Sequence, residues 1–283
     1  MQDTLYIIGN GFDLFHGLKT SYANFRNYAE RKRALWTPLE KLYGEKLNEN
    51  LWWSEFEVNL GKVDYDNLLN TNNGAALGLF ITKDFFVYHL PFFFGDWIKR
   101  VNDTIIKDCN DKRVDVDKNA LFFSFNYTTT LEQIYGVKGV NICHIHKCVT
   151  NLQLNERCLI VGHDSSLGQL MQKASYNNTS SFPQFVDDIN REVEKGAKKV
   201  RERIIVFSNE FSKYSEIKHY IIMGFSLNDI DKPYIEKIIE VNKNIDAADW
   251  IFYYHKEEEK KLFKEKLLNL GIKENNIKES IYW

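Results

Sequence analysis

The stretch Leu5-Tyr6-Ile7-Ile8-Gly9-Asn10-Gly11-Phe12-Asp13 runs four apolar residues straight into glycine, amide and glycine. Short runs rich in branched and aromatic side chains suit strands buried on both faces. The glycines that follow permit a tight turn and a close backbone approach. The same apolar-then-polar pattern returns along the chain. Leu121-Phe122-Phe123 precedes Ser124-Phe125-Asn126-Tyr127, and Val140-Asn141-Ile142-Cys143 precedes His144-Ile145-His146. Leu159-Ile160-Val161 precedes Gly162-His163-Asp164, and Tyr220-Ile221-Ile222-Met223 precedes Gly224-Phe225-Ser226. Trp250-Ile251-Phe252-Tyr253-Tyr254 ends at His255. The pattern predicts that Leu5–Ile8, Leu121–Phe123 and Tyr220–Met223 are neighbouring parallel strands.

Helical periodicities fill the intervals. Ser21 is placed to cap a helix on which Tyr22, Phe25, Tyr28 and Ala29 recur at helical spacing. Residues 182–211 read as amphipathic, with Arg191, Glu192, Glu194, Lys195, Lys198 and Lys199 as a solvated face. Residues 256–270 read as another helix, closed by Gly271. Strands alternating with helices give an α/β fold, Rossmann-like, with a mostly parallel sheet and helices on both faces. Residues 21–117 are mostly helical and read as a large insertion or cap. Residues 1–20 and 118–283 form the α/β core, and 1–283 is one composite domain.

Composition narrows the function classes. The 283 residues are 44% hydrophobic and 27% charged with a net charge of −2, which excludes a disordered or fibrous chain. A balance this close to neutral supplies no field for nucleic acid or an anionic membrane. Residues 74–98 are interrupted by Lys83, Asp84 and Pro91 and read as buried helix, not a membrane span. Its Phe85, Phe86, Phe92, Phe93 and Phe94 are expected in the core, the alternative being an exposed interaction patch. Cys109, Cys143, Cys148 and Cys158 are too few for a disulfide scaffold, and no export signal precedes Leu5, so a cytoplasmic protein is expected.

Ligands of an open parallel sheet bind beyond the carboxyl ends of the strands, near a topological switch point. Those ends carry Gly9, Asn10, Gly11, Asp13, Asn126, His144, His146, His163, Asp164, Ser226, Asn228 and Asp229. The first loop matches neither full phosphate-binding motif, because Leu14 takes the third glycine's place and Leu18 precedes Lys19. Its glycines still allow close approach to a pyrophosphate, the bland alternative being a plain tight turn. Asp13 is either a hydroxyl ligand or a helix cap. Asn126 can fix a ribose hydroxyl or a water, since its amide both donates and accepts. His146 can act as general base, or be a packed core histidine. Cys143, His144, His146 and Cys148 fit no common zinc spacing, so no metal is expected. Trp53, Glu55 and Glu57 read as a packed helix or as a lid carboxylate.

These motifs, in this order, resemble the AbiH abortive-infection family of phage-defence proteins. The resemblance rests on residues 5–22, Trp53-Ser54-Glu55-Phe56-Glu57, Ser124-Phe125-Asn126-Tyr127-Thr128 with Leu131-Glu132, His144-Ile145-His146, and Gly224-Phe225-Ser226-Leu227-Asn228-Asp229. At greater distance the order is similar to the sirtuin-like NAD-binding fold. That likeness places Asn126 and His146 at the catalytic asparagine and histidine. It places Gly9–Gly11 at the first glycine-rich loop and Gly224–Ser226 at the adenosine side. Lys147 departs by replacing a glycine, and Thr128 by replacing an aspartate. The resemblance implies an NAD-cleaving defence enzyme with NAD as substrate, and its expected partners are a second copy of the chain in a homo-oligomer or a phage-derived trigger. The alternatives are a nucleotide-sensing module that binds without cleaving, and a nuclease-type toxin, which neither a carboxylate-metal cluster nor a basic stripe supports.

Overall fold

The computed structural model describes residues 2–70, 85–150, 159–163 and 183–281. The chain divides into two compact units. One is built from Met1–Lys19, Val101–Cys148 and Val200–Trp283, the other from Thr20–Arg100 and Val149–Lys199.

The first unit holds the sheet. Its strands are β1 (Thr4–Ile8), β2 (Leu121–Ser124), β3 (Ile142–His144), β4 (His219–Met223), β5 (Asp249–Tyr254) and β6 (Ile277–Ile281). They lie in the order β3-β2-β1-β4-β5-β6, and every neighbouring pair is parallel. Leu5 sits opposite both Leu121 and Tyr220, so the three strands expected to be neighbours are neighbours. The order reverses between β1 and β4, which is the switch point of a Rossmann-like sheet.

The continuous apolar runs follow from burial on both faces. Leu5, Ile7, Phe123, Ile222 and Trp250 join one core, with Tyr234, Ile235 and Ile238 from the helix Lys232–Val241. Tyr6, Ile8, Phe122 and Met223 join the other, with Phe12 from the helix Asn10–Phe15 and Leu131 and Tyr135 from Thr130–Tyr135. Helices thus cover both faces. Tyr220 stacks on Trp250 at 4.1 Å and Tyr6 on Phe122 at 4.8 Å. The C-terminal helix Glu257–Asn269 ends as expected, with Gly271 at φ +86°.

The second unit is helical among its described residues. Ser21 caps the helix Tyr22–Ala29 by accepting from the Asn24 amide at 3.2 Å. Phe25 is fully buried and meets the rings of Trp53, Phe56, Phe94 and Trp97. Phe85, Phe86 and Phe94 are buried and Phe92 is exposed, so most of the aromatic run is core. Among the described residues no helix is long and apolar enough to cross a membrane.

Three expectations need correction. Leu159-Ile160-Val161 is not a strand: it belongs to the helical unit, where Leu159 and Val161 are buried and Gly162 abuts the Gly196 backbone. An apolar run serves a helical core as well as a sheet, and periodicity does not separate the two. The third strand begins at Ile142, because Gly139–Asn141 forms a tight helical turn and leaves Val140 exposed. The single helix expected over 182–211 is three: Pro183–Lys195, Val200–Val206 and Ser208–Ser212. The break after Lys195 holds Gly196 and a left-handed Lys199, φ +48°. Residues 71–84, Cys158 and Asp164 lie outside the described residues.

Candidate functional site

Four loops leave the carboxyl ends of β1, β2, β3 and β4, and backbone bonds tie them together. The Gly9 N–H donates to Met223 O at 3.0 Å and the Gly11 N–H to Gly224 O at 2.8 Å. Phe125 N–H donates to Ile8 O, and Ile145 N–H to Ser124 O. The β1 and β4 loops touch backbone to backbone. A Cβ on Gly9 would lie 2.5 Å from Gly224 O, and one on Gly224 would lie 2.1 Å from Phe12 N. Gly224 also has φ +65°, a conformation that L side chains adopt only at a cost. The small residues of both motifs are required by this junction.

Asp13 is fully buried beneath it. Thr128 Oγ1 and Thr130 Oγ1 donate to its two oxygens, each at 2.7 Å. Burial pushes its carboxyl up to about 6, against the hydrogen bonds from Thr128, Thr130 and the Asn126 side chain that pull it down. Asp13 is not the cap of its helix, since Gly9 holds that position. Thr128 and Thr130 are the hydroxyls that anchor this acid.

Asn126 is held on most sides. Its N–H donates to Ser124 Oγ at 3.2 Å, its backbone oxygen meets His144 Nδ1 at 3.1 Å, and its side chain bonds Asp13. Its Oδ1 is buried and has no hydrogen-bond partner among the described residues. Leaving such an acceptor dry costs about 1–3 kcal/mol, so the position favours a ligand that donates.

His146 is buried in an aromatic box. Its ring lies 5.6 Å from Phe125, 5.8 Å from Tyr234 and 6.0 Å from Tyr127, which it faces at 27°. Phe125 in turn stacks on Phe225 of the β4 loop at 4.3 Å. His146 Nε2 sits 3.4 Å from Asp231 Oδ1, with both side chains buried. A carboxylate beside an imidazole fixes the orientation of the ring. Lys147, which follows, has φ +62°. That left-handed backbone is one that glycine adopts without strain.

The structure brings Gly9, Gly11, Asp13, Asn126, His146 and Gly224 together. Asn10 is exposed on the first loop. Ser226 and Asp229 are exposed on the β4 loop, where Ser226 O accepts from Lys266 Nζ at 2.8 Å. Asn228 is spent locally, its Oδ1 accepting from the Asp231 N–H at the start of the helix Lys232–Val241. His163 belongs to the helical unit, where its Nε2 meets Val193 O at 2.9 Å. Trp53 and Glu57 are packed within that unit, Glu57 bonding Lys198 at 2.8 Å, which favours the packed-helix reading of that cluster.

Sequence reasoning missed Asp231, Tyr234 and Arg203. Asp231 lies just past the quoted Gly224–Asp229 landmark, and its position ahead of Lys232-Pro233 at a helix start was the available signal. Arg203 donates to Ile145 O and lies over the Phe207 ring at 5.0 Å. Burial lowers its pKa. It looked like one more charge on a solvated helix.

A model of the bacteriophage abortive infection AbiH family matches residues 5–254. No curated protein and no solved structure matches the chain.

Proposed function

The chain belongs to the AbiH family of bacteriophage abortive-infection proteins, and from that premise we propose that its sheet-edge site hydrolyses the nicotinamide–ribose bond of NAD. Nicotinamide departs with the electron pair of the broken bond and leaves an oxocarbenium-like ribose. A water oxygen bonds the anomeric carbon, and its proton passes to His146 and on to solvent. The products are ADP-ribose and nicotinamide, and no metal enters the step.

The observation that carries the reading is the buried Oδ1 of Asn126, an acceptor with no partner among the described residues, on the same sheet edge as the His146–Asp231 pair. Oδ1 accepts from a ribose hydroxyl or from the attacking water, and Asp231 keeps His146 oriented to take the proton. Asp13 holds Asn126 in place. The amides of Gly9 and Gly11 are already donating, so in this reading the pyrophosphate meets the first loop at the exposed Asn10. Gly224, Ser226, Asn228 and Asp229 form the adenosine side. Positioning and fixed dipoles supply most of the rate, as expected for a leaving group that needs no covalent partner.

Two measurements test this. Purified protein incubated with NAD should release nicotinamide and ADP-ribose by NMR, and His146→Ala should release neither. A constitutive hydrolase would kill its host, so cellular NAD should fall only after phage infection in cells carrying the wild type. Unchanged NAD in cells that are nevertheless protected would overturn hydrolysis and favour the binding module.

A further inference from the structure

Beside the proposed catalytic pair lies a second group that the reaction does not use. Glu132, on the helix Thr130–Tyr135, His144, at the end of β3, and Cys148 bring one carboxylate oxygen, one imidazole nitrogen and one sulfur within 4.8 Å of one another. His144 Nε2 lies 3.1 Å from Glu132 Oε1. Cys148 is buried and in no disulfide. The sequence reading considered only cysteines and histidines close in the chain and rejected their spacing. The fold adds Glu132, which that test left out.

We propose that Glu132, His144 and Cys148 form a binding site for a zinc-like divalent transition metal. Three lines of geometry carry it. Tetrahedral zinc with bonds of roughly 2.0–2.3 Å sets its ligand atoms about 3.3–3.7 Å apart, and the three atoms here lie within 4.8 Å of one another. His144 Nδ1 faces the Asn126 carbonyl at 3.1 Å, the outer partner that a metal-bound histidine typically has, and this leaves Nε2 as the lone pair toward Glu132 and Cys148. Glu132 Oε2 is in addition buried with no hydrogen-bond partner among the described residues. A carboxylate, imidazole and thiolate together suit zinc or cobalt better than magnesium or calcium.

Three protein ligands leave the fourth position to water. The metal would clamp the loops after β2 and β3, which carry Asn126 and His146, and this holds whatever reaction those residues perform.

The test is stripping the full-length protein with a chelator and titrating it with cobalt(II) chloride, followed by zinc competition. About one cobalt per chain is expected, with a thiolate-to-cobalt absorption band that zinc abolishes. Cys148→Ser should lose the band and Cys143→Ser should keep it. Glu132→Gln should weaken binding by at least tenfold, and zinc should raise the wild-type melting temperature. Failure of the wild type to bind cobalt, a band surviving Cys148→Ser, or unchanged affinity in Glu132→Gln would each overturn the site. None of these readouts depends on NAD turnover.

Discussion

At the scale of single residues, Asp13 is a carboxylate whose burial outweighs its hydrogen bonds. Unfolded, it titrates near 3.9; folded, burial brings it to about 6, so the native state binds the proton more tightly. Its contribution to stability is complete below pH 4 and is lost as pH rises through 6. The advantage of wild type over Asp13→Asn should shrink by about 1–3 kcal/mol between pH 4.5 and 7.5 in urea denaturation. A difference independent of pH would show that Asp13 ionises normally. His146→Ala and Asn126→Ala should each abolish NAD cleavage while moving the melting temperature by only a few degrees. Should both unfold, the packed-core reading of these residues wins. Lys147 offers a conformational test. At φ +62° a β-branched residue is strained, so Lys147→Val should lose about 1–2 kcal/mol, whereas Lys147→Gly should be close to neutral by thermal melting.

At the scale of elements, the junction between the β1 and β4 loops sets the tolerance of the fold. Gly224→Ala adds a left-handed alanine and a Cβ 2.1 Å from Phe12 N, neither relieved by a rotamer change. It should cost at least about 2–3 kcal/mol or prevent folding. Recovery of wild-type stability in that variant would mean that the loops separate freely. Elements built from one strong local pattern were legible from sequence. The five apolar runs of β1 to β5 stand out, although β3 starts two residues later than its run, because burial on both faces removes polar residues. Strand β6 was not, for it lies at the sheet edge and its exposed Lys278 and Glu279 look like loop. Leu159–Val161 misled for the opposite reason, a helical core having the same appetite for apolar side chains. The site was half legible. Asn126 and His146 stand directly at strand ends, while Asp231 and Glu132 reach the edge only through helix placement, which no local pattern encodes.

At the scale of the whole molecule, the sheet draws on both ends of the chain. All three sequence segments of its unit adjoin segments of the helical unit in the chain, so one cannot be cut from the other at a single bond. Limited proteolysis should therefore trim exposed ends and loops before it releases any fragment active on NAD, and an active fragment lacking residues 200–283 would contradict the assembly of the site. The parallel order has one more consequence. β1 ends at Ile8, yet its partner β4 begins at His219, and the aromatic box around His146 takes Tyr234 from the helix after β4. A ribosome must therefore have delivered the chain through Tyr234, of 283 residues, before the first loop acquires its opposite wall. A chain that stops before the helix Lys232–Val241 is therefore born without the wall that Tyr234 and Asp231 supply to His146.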